Sequence, residues 1–374
     1  MATKTIPKQW CESEIILLFK KGDRCEISNY RPISLSSNMG KIFMKIIKNR
    51  IYDTLDRSQP PEQAGFRKKF STVDHIQTLT QIIEKTKEYR IDVVLAFIDF
   101  NKAFDSIYHH SAWKALATQG VPENIINILE NLYQNSVAHI ALDKKGDIFK
   151  VGRGVKQGDP VSPNIFNAVL EDVFRKLEWD NYGLKIDGVQ INNLRFADDI
   201  VLIGKNSEEI NVMIEDLVQQ GAKVGLSINL GKSKIMTKDG KKDEHLRPSV
   251  TELEMVDEYK YLGQTVSFKN RSDKEIKIRI NNSWKAFWAQ KHIFKSNMKM
   301  KTKAKILSTG VLPVATYGAQ TWPITRRHLK KLKVMQNSMF RSILKIKLKD
   351  KIKLLDIKEK IKVKDIGYII RKLK

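Results

Sequence analysis

Three aspartates, Asp99, Asp198 and Asp199, stand where a charged side chain is costly. Asp99 ends the apolar run 93–98, and the other two form the tip between the apolar arms of residues 194–203. Alone, an Asp-Asp pair most often marks an ordinary turn. Three converging carboxylates repel one another and lose hydration unless cations neutralise them, and oxygen ligands of this kind suit Mg2+. Two such ions about 4 Å apart can clamp an in-line attack on a phosphate. The pattern therefore points to phosphoryl-transfer chemistry.

The hydrophobic pattern indicates the elements that must position these carboxylates. The continuous run 93–98 predicts a strand buried on both faces, and the two arms around the Asp-Asp tip predict a β-hairpin. Between them, the turn-rich loop 152–160 leads to Ser162 and Pro163, which predict a helix start with a capping hydroxyl and a proline in its first turn. We place a boundary near residue 270, after which the chain is expected to be helical.

Charge and composition narrow the class of partner. The 374 residues carry a formal net charge of +25, and residues 326–374 hold 18 Lys or Arg against four Asp or Glu. Such an excess favours a polyanion, most commonly nucleic acid. The sequence contains no apolar run of about 18 residues that would span a membrane, and no apolar secretory signal. Its two cysteines, Cys11 and Cys25, are too few for a zinc site and fit a reducing, intracellular setting.

Several motifs carry a resemblance to one family. Three motifs resemble those of reverse transcriptases, in the same order and spacing. The first metal-binding motif is matched by residues 96–106, the loop-helix motif by residues 157–163, and the catalytic hairpin by residues 196–199 (Phe-Ala-Asp-Asp). The version most similar to this one is that of non-long-terminal-repeat (LINE-type) retrotransposons. Further stretches that resemble this group are residues 29–35, 63–67, 225–229 with Lys232, 261–263, and, less specifically, Tyr317-Gly318 to Trp322.

The resemblance implies an α+β fold of the right-hand polymerase type, followed by an all-helical basic thumb. It predicts fingers in residues 1–90, a palm in 91–270 and the thumb in 271–374. The implied partners are an RNA template, a DNA primer or RNA–DNA hybrid, and deoxynucleoside triphosphates, with two Mg2+ ions or Mn2+ in their place. The expected location is the nucleus or cytoplasm. Because proteins of this group usually carry an endonuclease upstream, the chain is expected to be a fragment of a longer element protein or a degenerate copy.

The resemblance also implies roles for the metal-binding and sugar-contacting residues. Asp99 and Asp198 are expected to bind both metals, with Asp199 beside them and the backbone carbonyl of Phe100 assisting. Phe104, five residues after Asp99, is expected to lie under the sugar of the incoming nucleotide. A ring there leaves no room for a 2′-hydroxyl and therefore selects deoxynucleotides.

Further roles follow for the nucleotide and the primer. Gln157 and Gly158 are expected to line the nucleotide pocket, where glycine allows a close backbone approach. Arg67 is expected to meet the triphosphate, since a guanidinium suits phosphate geometry. Lys232 is the first choice for the proton donor to pyrophosphate, with Lys223 and Lys234 as alternatives. The turn expected to support the primer end comprises Tyr261, Leu262 and Gly263.

Two other functions stay open on the sequence. An RNA-dependent RNA polymerase shares the palm chemistry, but the aromatic ring of Phe104 argues against it. A catalytically dead retroelement relic would only bind nucleic acid through the basic helices, in a salt-sensitive manner.

Overall fold

The computed structural model describes residues 6–142, 144–238, 253–269 and 271–374. The fold is α+β, with mostly antiparallel sheets and a helical C-terminal region, as the sequence predicts. In the described residues the α-helices are α1 (Lys8–Cys11), α2 (Asn38–Ser58), α3 (Thr72–Glu88), α4 (Ala103–Ser106), α5 (His109–Thr118), α6 (Glu123–Gln134), α7 (Ser162–Phe174), α8 (Ser207–Ala222), α9 (Arg271–Ala289), α10 (Lys291–Lys295), α11 (Met300–Ile306), α12 (Leu312–Thr316), α13 (Arg326–Leu344), α14 (Leu354–Ile361) and α15 (Ile366–Leu373). The strands are β1 (Glu12–Phe19), β2 (Tyr30–Ser36), β3 (Val94–Ile98), β4 (Val137–Ile140), β5 (Phe149–Lys150), β6 (Leu184–Ile186), β7 (Val189–Ile191), β8 (Asn193–Phe196), β9 (Asp199–Gly204), β10 (Lys234–Thr237), β11 (Glu254–Met255), β12 (Tyr259–Tyr261) and β13 (Gln264–Val266).

The central strand of the larger sheet is β3. Strand order in this sheet is β11-β10-β3-β9-β8, so β3 has a hydrogen-bonded neighbour on each side. All five of its side chains are buried, and helix α8 packs against it. A strand covered on both faces needs apolar residues at every position, because neither face meets water. The predicted strand and the predicted hairpin β8–β9 are both confirmed.

A second sheet has the order β2-β1-β4-β5. Its first two strands form an antiparallel hairpin in which Leu18 lies opposite Arg31, while β4 runs parallel to β1. The backbone amide of Lys20, just past the end of β1, donates a hydrogen bond to the carbonyl of Asn29 (2.9 Å). This hairpin brings two basic residues, Lys20 and Arg31, to neighbouring positions.

The predicted capping role of Ser162 is wrong. Val161 holds the N-cap position of α7, and no side chain caps the helix there. Ser162 lies inside the first turn, and its hydroxyl is 3.3 Å from the hydroxyl of the buried Tyr133. The carboxylate of Asp159 instead accepts the Val161 amide (3.0 Å). Pro163 does occupy the first turn, as predicted.

The chain divides into two compact units. One comprises Met1–Thr72 and Asp92–Val256, and the other comprises Val73–Ile91 and Asp257–Lys374. The second unit therefore contains α3 and the hairpin β12–β13 together with the C-terminal helices. The boundary expected near residue 270 lies at the edge of the described ranges, and the division into fingers, palm and thumb stays a prediction. Within the described part of the chain, no helix is both long and apolar enough to cross a membrane.

Candidate active site

The three aspartates meet at one edge of the larger sheet. Ile98 pairs with Ile200 at the end of β3, so Asp99 follows directly where the β8–β9 hairpin turns. Phe196 pairs with Asp199, which leaves Ala197 and Asp198 as a two-residue turn. Ala197 has a φ of 58°, a left-handed conformation that costs free energy for a residue with a Cβ. We call this Ala197-Asp198 pair the catalytic turn, after the role that the sequence predicts for Asp198.

The carboxylates at this edge lose hydration and repel one another. Burial raises the pKa of Asp198, and the nearby carboxylate of Asp99 raises it further. Asp199 keeps solvent access, yet partial burial and the charges of Asp198 and Asp99 raise its pKa to about 6. Each shift means that the ionised form is disfavoured, because a carboxylate loses hydration and faces another carboxylate.

A divalent cation fits this donor set. Within the described ranges, no group of three or more Asp, Glu, His or Cys side chains lies in an arrangement that could hold a metal ion as it stands. The donors nevertheless are all hard carboxylate oxygens, and their mutual repulsion is the cost that a cation would relieve. In this structure the ammonium of Lys232 pairs with one of these carboxylates, with its Nζ 3.2 Å from Asp99 Oδ2.

A loop that follows α8 fixes Asp99 and Lys232 together. The backbone amide of Asp99 donates to the hydroxyl of Ser233 (3.0 Å), and its carbonyl accepts the amide of Asn229 (2.7 Å). Lys232 lies between these two anchors, with 61% of its side chain exposed. The alternative lysines point elsewhere: Lys223 contacts Gln220, and Lys234 pairs with Glu254. Of these three lysines, Lys232 is the one beside the carboxylates.

A cleft of about 900 Å3 opens at the carboxylates. It brings together most of the residues that the sequence singled out. Those that line it are Asp99, Phe100, Phe104, Gln157, Gly158, Asp198 and Lys232. Arg67 lies on a smaller neighbouring cleft, and Tyr261, Leu262 and Gly263 belong to the other unit.

The floor of the cleft is rigidly supported. The ring of Phe104 stacks on the buried ring of Phe166, with centroids 4.5 Å apart and planes 10° apart, and meets the edge of Phe66. The amide of Gln157 donates to both carboxylate oxygens of Asp105, at 2.9 and 3.1 Å. Burial raises the pKa of Asp105, while these hydrogen bonds act in the opposite direction.

Arg67 is held inside the protein. Its Nε donates to Asp56 Oδ1 (2.9 Å), and its Nη1 donates to the carbonyls of Pro60 (2.6 Å) and Gln63 (3.0 Å). Only 11% of its side chain is exposed. Most of the guanidinium is therefore already occupied, and contact with a triphosphate stays a prediction for this residue.

Two other cations face the carboxylates, and the sequence reasoning missed both as site residues. Lys20 and Arg31 line the cleft at the end of the β1–β2 hairpin. The pKa of Lys20 is lowered by burial and by the charges of Arg31 and Lys232, while Asp99 and Asp198 act in the opposite direction. One feature of the sequence could have indicated Lys20 as a site residue: it directly follows an apolar strand, as Asp99 does.

The 63–67 stretch supports the catalytic turn directly. The buried amide oxygen of Gln63 accepts hydrogen bonds from the backbone N–H groups of Gly65 (2.8 Å) and Ala197 (3.1 Å). The backbone of Ala64 also bonds to Arg195 (2.9 Å). A Cβ on Gly65 would overlap the backbone of Ala197, so only glycine permits this approach.

The predicted primer turn is a tight hairpin in the second unit. Tyr261 pairs with Gln264, so Leu262 and Gly263 form a two-residue loop between β12 and β13. Both loop residues are left-handed, with φ of 45° and 78°. This is the geometry of a type I′ turn. We call this Leu262-Gly263 pair the primer turn, after the role that the sequence resemblance predicts for it.

A family profile described as "Reverse transcriptase (RNA-dependent DNA polymerase)" matches residues 19–266. This chain belongs to that family. The chain is 29% identical over 289 residues to a "Retrovirus-related Pol polyprotein from type-1 retrotransposable element R2" of Nasonia vitripennis, covering 73% of this chain and 28% of that protein. It is 23% identical over 365 residues to the "RNA-directed DNA polymerase from mobile element jockey" of Drosophila melanogaster, covering 90% of this chain and 38% of the relative.

These relatives confirm the assignment to non-LTR retrotransposon reverse transcriptases. The chain spans well under half the length of both. Among solved structures it resembles the apo telomerase of Candida tropicalis, with a TM-score of 0.53, 12% sequence identity, and coverage of 95% of this chain and 61% of that one. At that identity the likeness shows the fold alone.

Proposed function

We propose that this reverse transcriptase is an RNA-directed DNA polymerase that adds deoxynucleotides to a primer 3′-hydroxyl. The observation that carries the proposal is the convergence of Asp99, Asp198 and Asp199 at one sheet edge, where Asp99 and Asp198 line a cleft together with Phe104. The family match and the similarity to the RNA-directed DNA polymerase of mobile element jockey support it.

Asp99 and Asp198 would hold two Mg2+ ions, or Mn2+ in their place, with Asp199 and the carbonyl of Phe100 assisting. When bound, such ions activate the primer hydroxyl and stabilise the leaving pyrophosphate. The raised pKa values of Asp198 and Asp199 support this assignment, because a cation would stabilise their ionised forms.

The other cleft residues then act on the nucleotide. Lys20 and Arg31 would bind the triphosphate, taking over much of the role predicted for Arg67. Lys232, displaced from Asp99 when that carboxylate binds a cation, would donate a proton to the pyrophosphate. Phe104, fixed on Phe166, would exclude a 2′-hydroxyl. Gln157, oriented by Asp105, and Gly158 would line the same pocket.

The macromolecular partners we propose are an RNA template and a DNA primer, bound as a hybrid duplex. The 18 Lys or Arg of residues 326–374 support this, since phosphate contacts dominate nucleic-acid affinity. We also infer a nuclear or cytoplasmic location, which the two free cysteines favour.

Primer extension tests the proposal. Protein with Mg2+, deoxynucleotides and a primed RNA template should extend the primer, and more efficiently than with a DNA template. Phe104→Ala should raise ribonucleotide use relative to deoxynucleotide use by at least about tenfold, since it removes the group that rejects the 2′-hydroxyl. Phe149→Ala, on β5 outside the cleft, is the matched control.

Two results would contradict the proposal in different ways. Salt-sensitive binding of the hybrid with no incorporation would favour a relic that only binds nucleic acid. Efficient ribonucleotide incorporation by the unaltered protein, with no gain in Phe104→Ala, would favour an RNA-dependent RNA polymerase.

A further inference from the structure

Side chains from other segments of the same unit hydrogen-bond to the backbone of the primer turn. Leu262 is a branched residue with a left-handed backbone, a conformation that persists only where its surroundings enforce it. The hydroxyl of Tyr317 donates a hydrogen bond to the carbonyl of Leu262 (2.7 Å). The guanidinium of Arg279 donates to the carbonyl of Gly263. Both carbonyls of the turn are therefore held by side-chain donors.

These two donors support each other. The guanidinium of Arg279 lies over the ring of Tyr317, 4.8 Å from its centroid. Its Nε donates to Glu275 Oε1 (2.6 Å), one helical turn earlier on α9. The second oxygen of Glu275 accepts the backbone amide of Thr265 on β13 (3.0 Å). One ion pair on α9 thus binds the hairpin at both the turn and the following strand.

The ion pair is buried, with 8% of the Arg279 side chain and 1% of the Glu275 side chain exposed. A buried ion pair adds little net stability compared with apolar residues of similar volume, because desolvation offsets the attraction. What it supplies here is geometry, since each partner also bonds to a specific backbone group of the hairpin. A contribution to folding stability alone therefore does not explain why the buried charges of Arg279 and Glu275 lie beside the hairpin.

The residues that follow Tyr317 also contact this hairpin, at Gln264. Gly318 has a φ of 69°, and a Cβ at this position would overlap the amide of Gln264. The hydroxyl of Thr321 donates to the Gln264 side-chain oxygen (3.2 Å). Gln264 is fully buried and pairs with Tyr261 across the turn. Residues 317–321, part of the C-terminal stretch that the sequence singled out, therefore form a support for this one hairpin.

We propose that Tyr317, Arg279 and Glu275 are positioning residues that hold the primer turn in the shape that receives the primer strand. The inference rests on the proposed polymerase function and assigns a purpose to the 317–321 segment. An open cleft of about 370 Å3 beside the turn is lined by Lys260, Asn282 and Tyr317. Its lysine cation suits a primer phosphate.

Tyr317→Phe tests the proposal with the smallest change, because the ring under Arg279 is kept and only the hydroxyl is lost. Losing one hydrogen bond should raise the KM for primer–template about fivefold. The kcat and the KM for deoxynucleotide should stay within about twofold of the unaltered protein, because no atom of the cleft changes. Tyr368→Phe, an exposed tyrosine on α15, is the matched control and should change none of these values.

Arg279→Lys provides a second, independent variant. It keeps a cation beside Glu275 but loses the fork that reaches both Gly263 and Glu275. The KM for primer–template should rise at least as much as in Tyr317→Phe. A fall in melting temperature without a change in this KM would mean that the residues only stabilise the unit, and would overturn the proposal.

A binding experiment separates this inference from the catalytic one. A primer that ends in 4-thiothymidine, annealed to RNA template and irradiated without deoxynucleotides, should crosslink within residues 261–264. The yield should fall several-fold in Tyr317→Phe and not in Tyr368→Phe. Failure of the unaltered protein to extend primers, with this crosslink pattern intact, would sink the polymerase proposal alone. An unchanged crosslink and an unchanged KM in Tyr317→Phe would overturn the positioning role.

Discussion

The catalytic turn and the primer turn are both two-residue hairpin loops, and both force a residue with a side chain into a left-handed backbone. Ala197 has a φ of 58° and Leu262 a φ of 45°. Their supports differ in chemistry. The catalytic turn is held by close backbone packing and the neutral amide of Gln63. The primer turn is held by a tyrosine hydroxyl and the charged guanidinium of Arg279.

The difference follows from the charge of the residues at each turn. A fixed cation bonded to the catalytic turn would stabilise the charged forms of Asp198 and Asp199 and compete with a metal ion for them. A neutral amide fixes the backbone and leaves the carboxylate charge available. The primer turn bears no carboxylate on its loop residues, so a charged donor can hold it without that conflict. The support of each turn is therefore matched to the charge that the turn must present.

Among the changes that alter how a turn is held, the largest effect is expected from Gly65→Ala. The added methyl group overlaps the backbone of Ala197 and must displace the catalytic turn, while all three aspartates are retained. A displacement near 1 Å at reacting groups lowers a rate by about 100-fold, and we expect at least that loss in kcat. Gly152→Ala is the control, since a Cβ there meets open space. Activity of Gly65→Ala within threefold of the unaltered protein would show that the turn does not depend on this close approach.

A smaller effect is expected from Gln63→Met, which leaves the amides of Gly65 and Ala197 without their acceptor. Each of the two buried unpaired donors costs about 1–3 kcal/mol, so the free energy of unfolding should fall by roughly 2–6 kcal/mol in denaturant titrations. The kcat should fall about tenfold with the KM for primer–template unchanged, the converse of the pattern expected for Tyr317→Phe. If both variants changed the same kinetic constant, the proposed separation of the two turns would not hold. Gln134→Met, on the exposed face of α6, is the control.

The last of these effects concerns how the Mg2+ requirement depends on pH. Asp199 has a pKa raised to about 6, so it binds a proton on acidification well before an ordinary carboxyl group does. Without metal, this group favours the folded state most at low pH, and that contribution is lost as the pH rises through about 6. A metal ion needs the ionised form, so the Mg2+ concentration for half-maximal extension should rise up to about tenfold per pH unit below 6.

Titrating Mg2+ at a series of pH values measures this dependence. Asp199→Asn should flatten the profile, and Tyr317→Phe should leave it unchanged. A profile that stayed the same in Asp199→Asn would show that this carboxylate does not compete for metal.

Local patterns predicted the elements but not the contacts between distant segments. The buried strand ending in Asp99 and the hairpin at Asp198 follow from apolar runs, which are properties of short windows. The bond from Gln63 to Ala197 joins residues 134 positions apart, and nothing in either window indicates it. The resemblance predicts that Arg67 meets the triphosphate, and nothing near it in the sequence indicates its ion pair with Asp56.

The same limit explains the errors around the cleft. Ser162 fits a cap by local preference, but the hydroxyl of Tyr133 lies beside it in the folded chain. Lys20 and Arg31 reach the carboxylates only because the β1–β2 hairpin lies across the cleft. The elements that carry a motif can thus be predicted from the sequence nearby. The partners of each side chain cannot, because they depend on the tertiary fold.

The measurement that tests the account most directly is primer extension by Asp198→Asn compared with Asp187→Asn. The two substitutions remove the same charge, one in the catalytic turn and one at the exposed tip of the β6–β7 hairpin. At saturating Mg2+, template and deoxynucleotides, Asp198→Asn should lose at least about 1,000-fold in rate, because a metal ligand is gone, and Asp187→Asn should match the unaltered protein. Extension by Asp198→Asn at a rate near that of Asp187→Asn would contradict the assignment of the three aspartates as the catalytic centre.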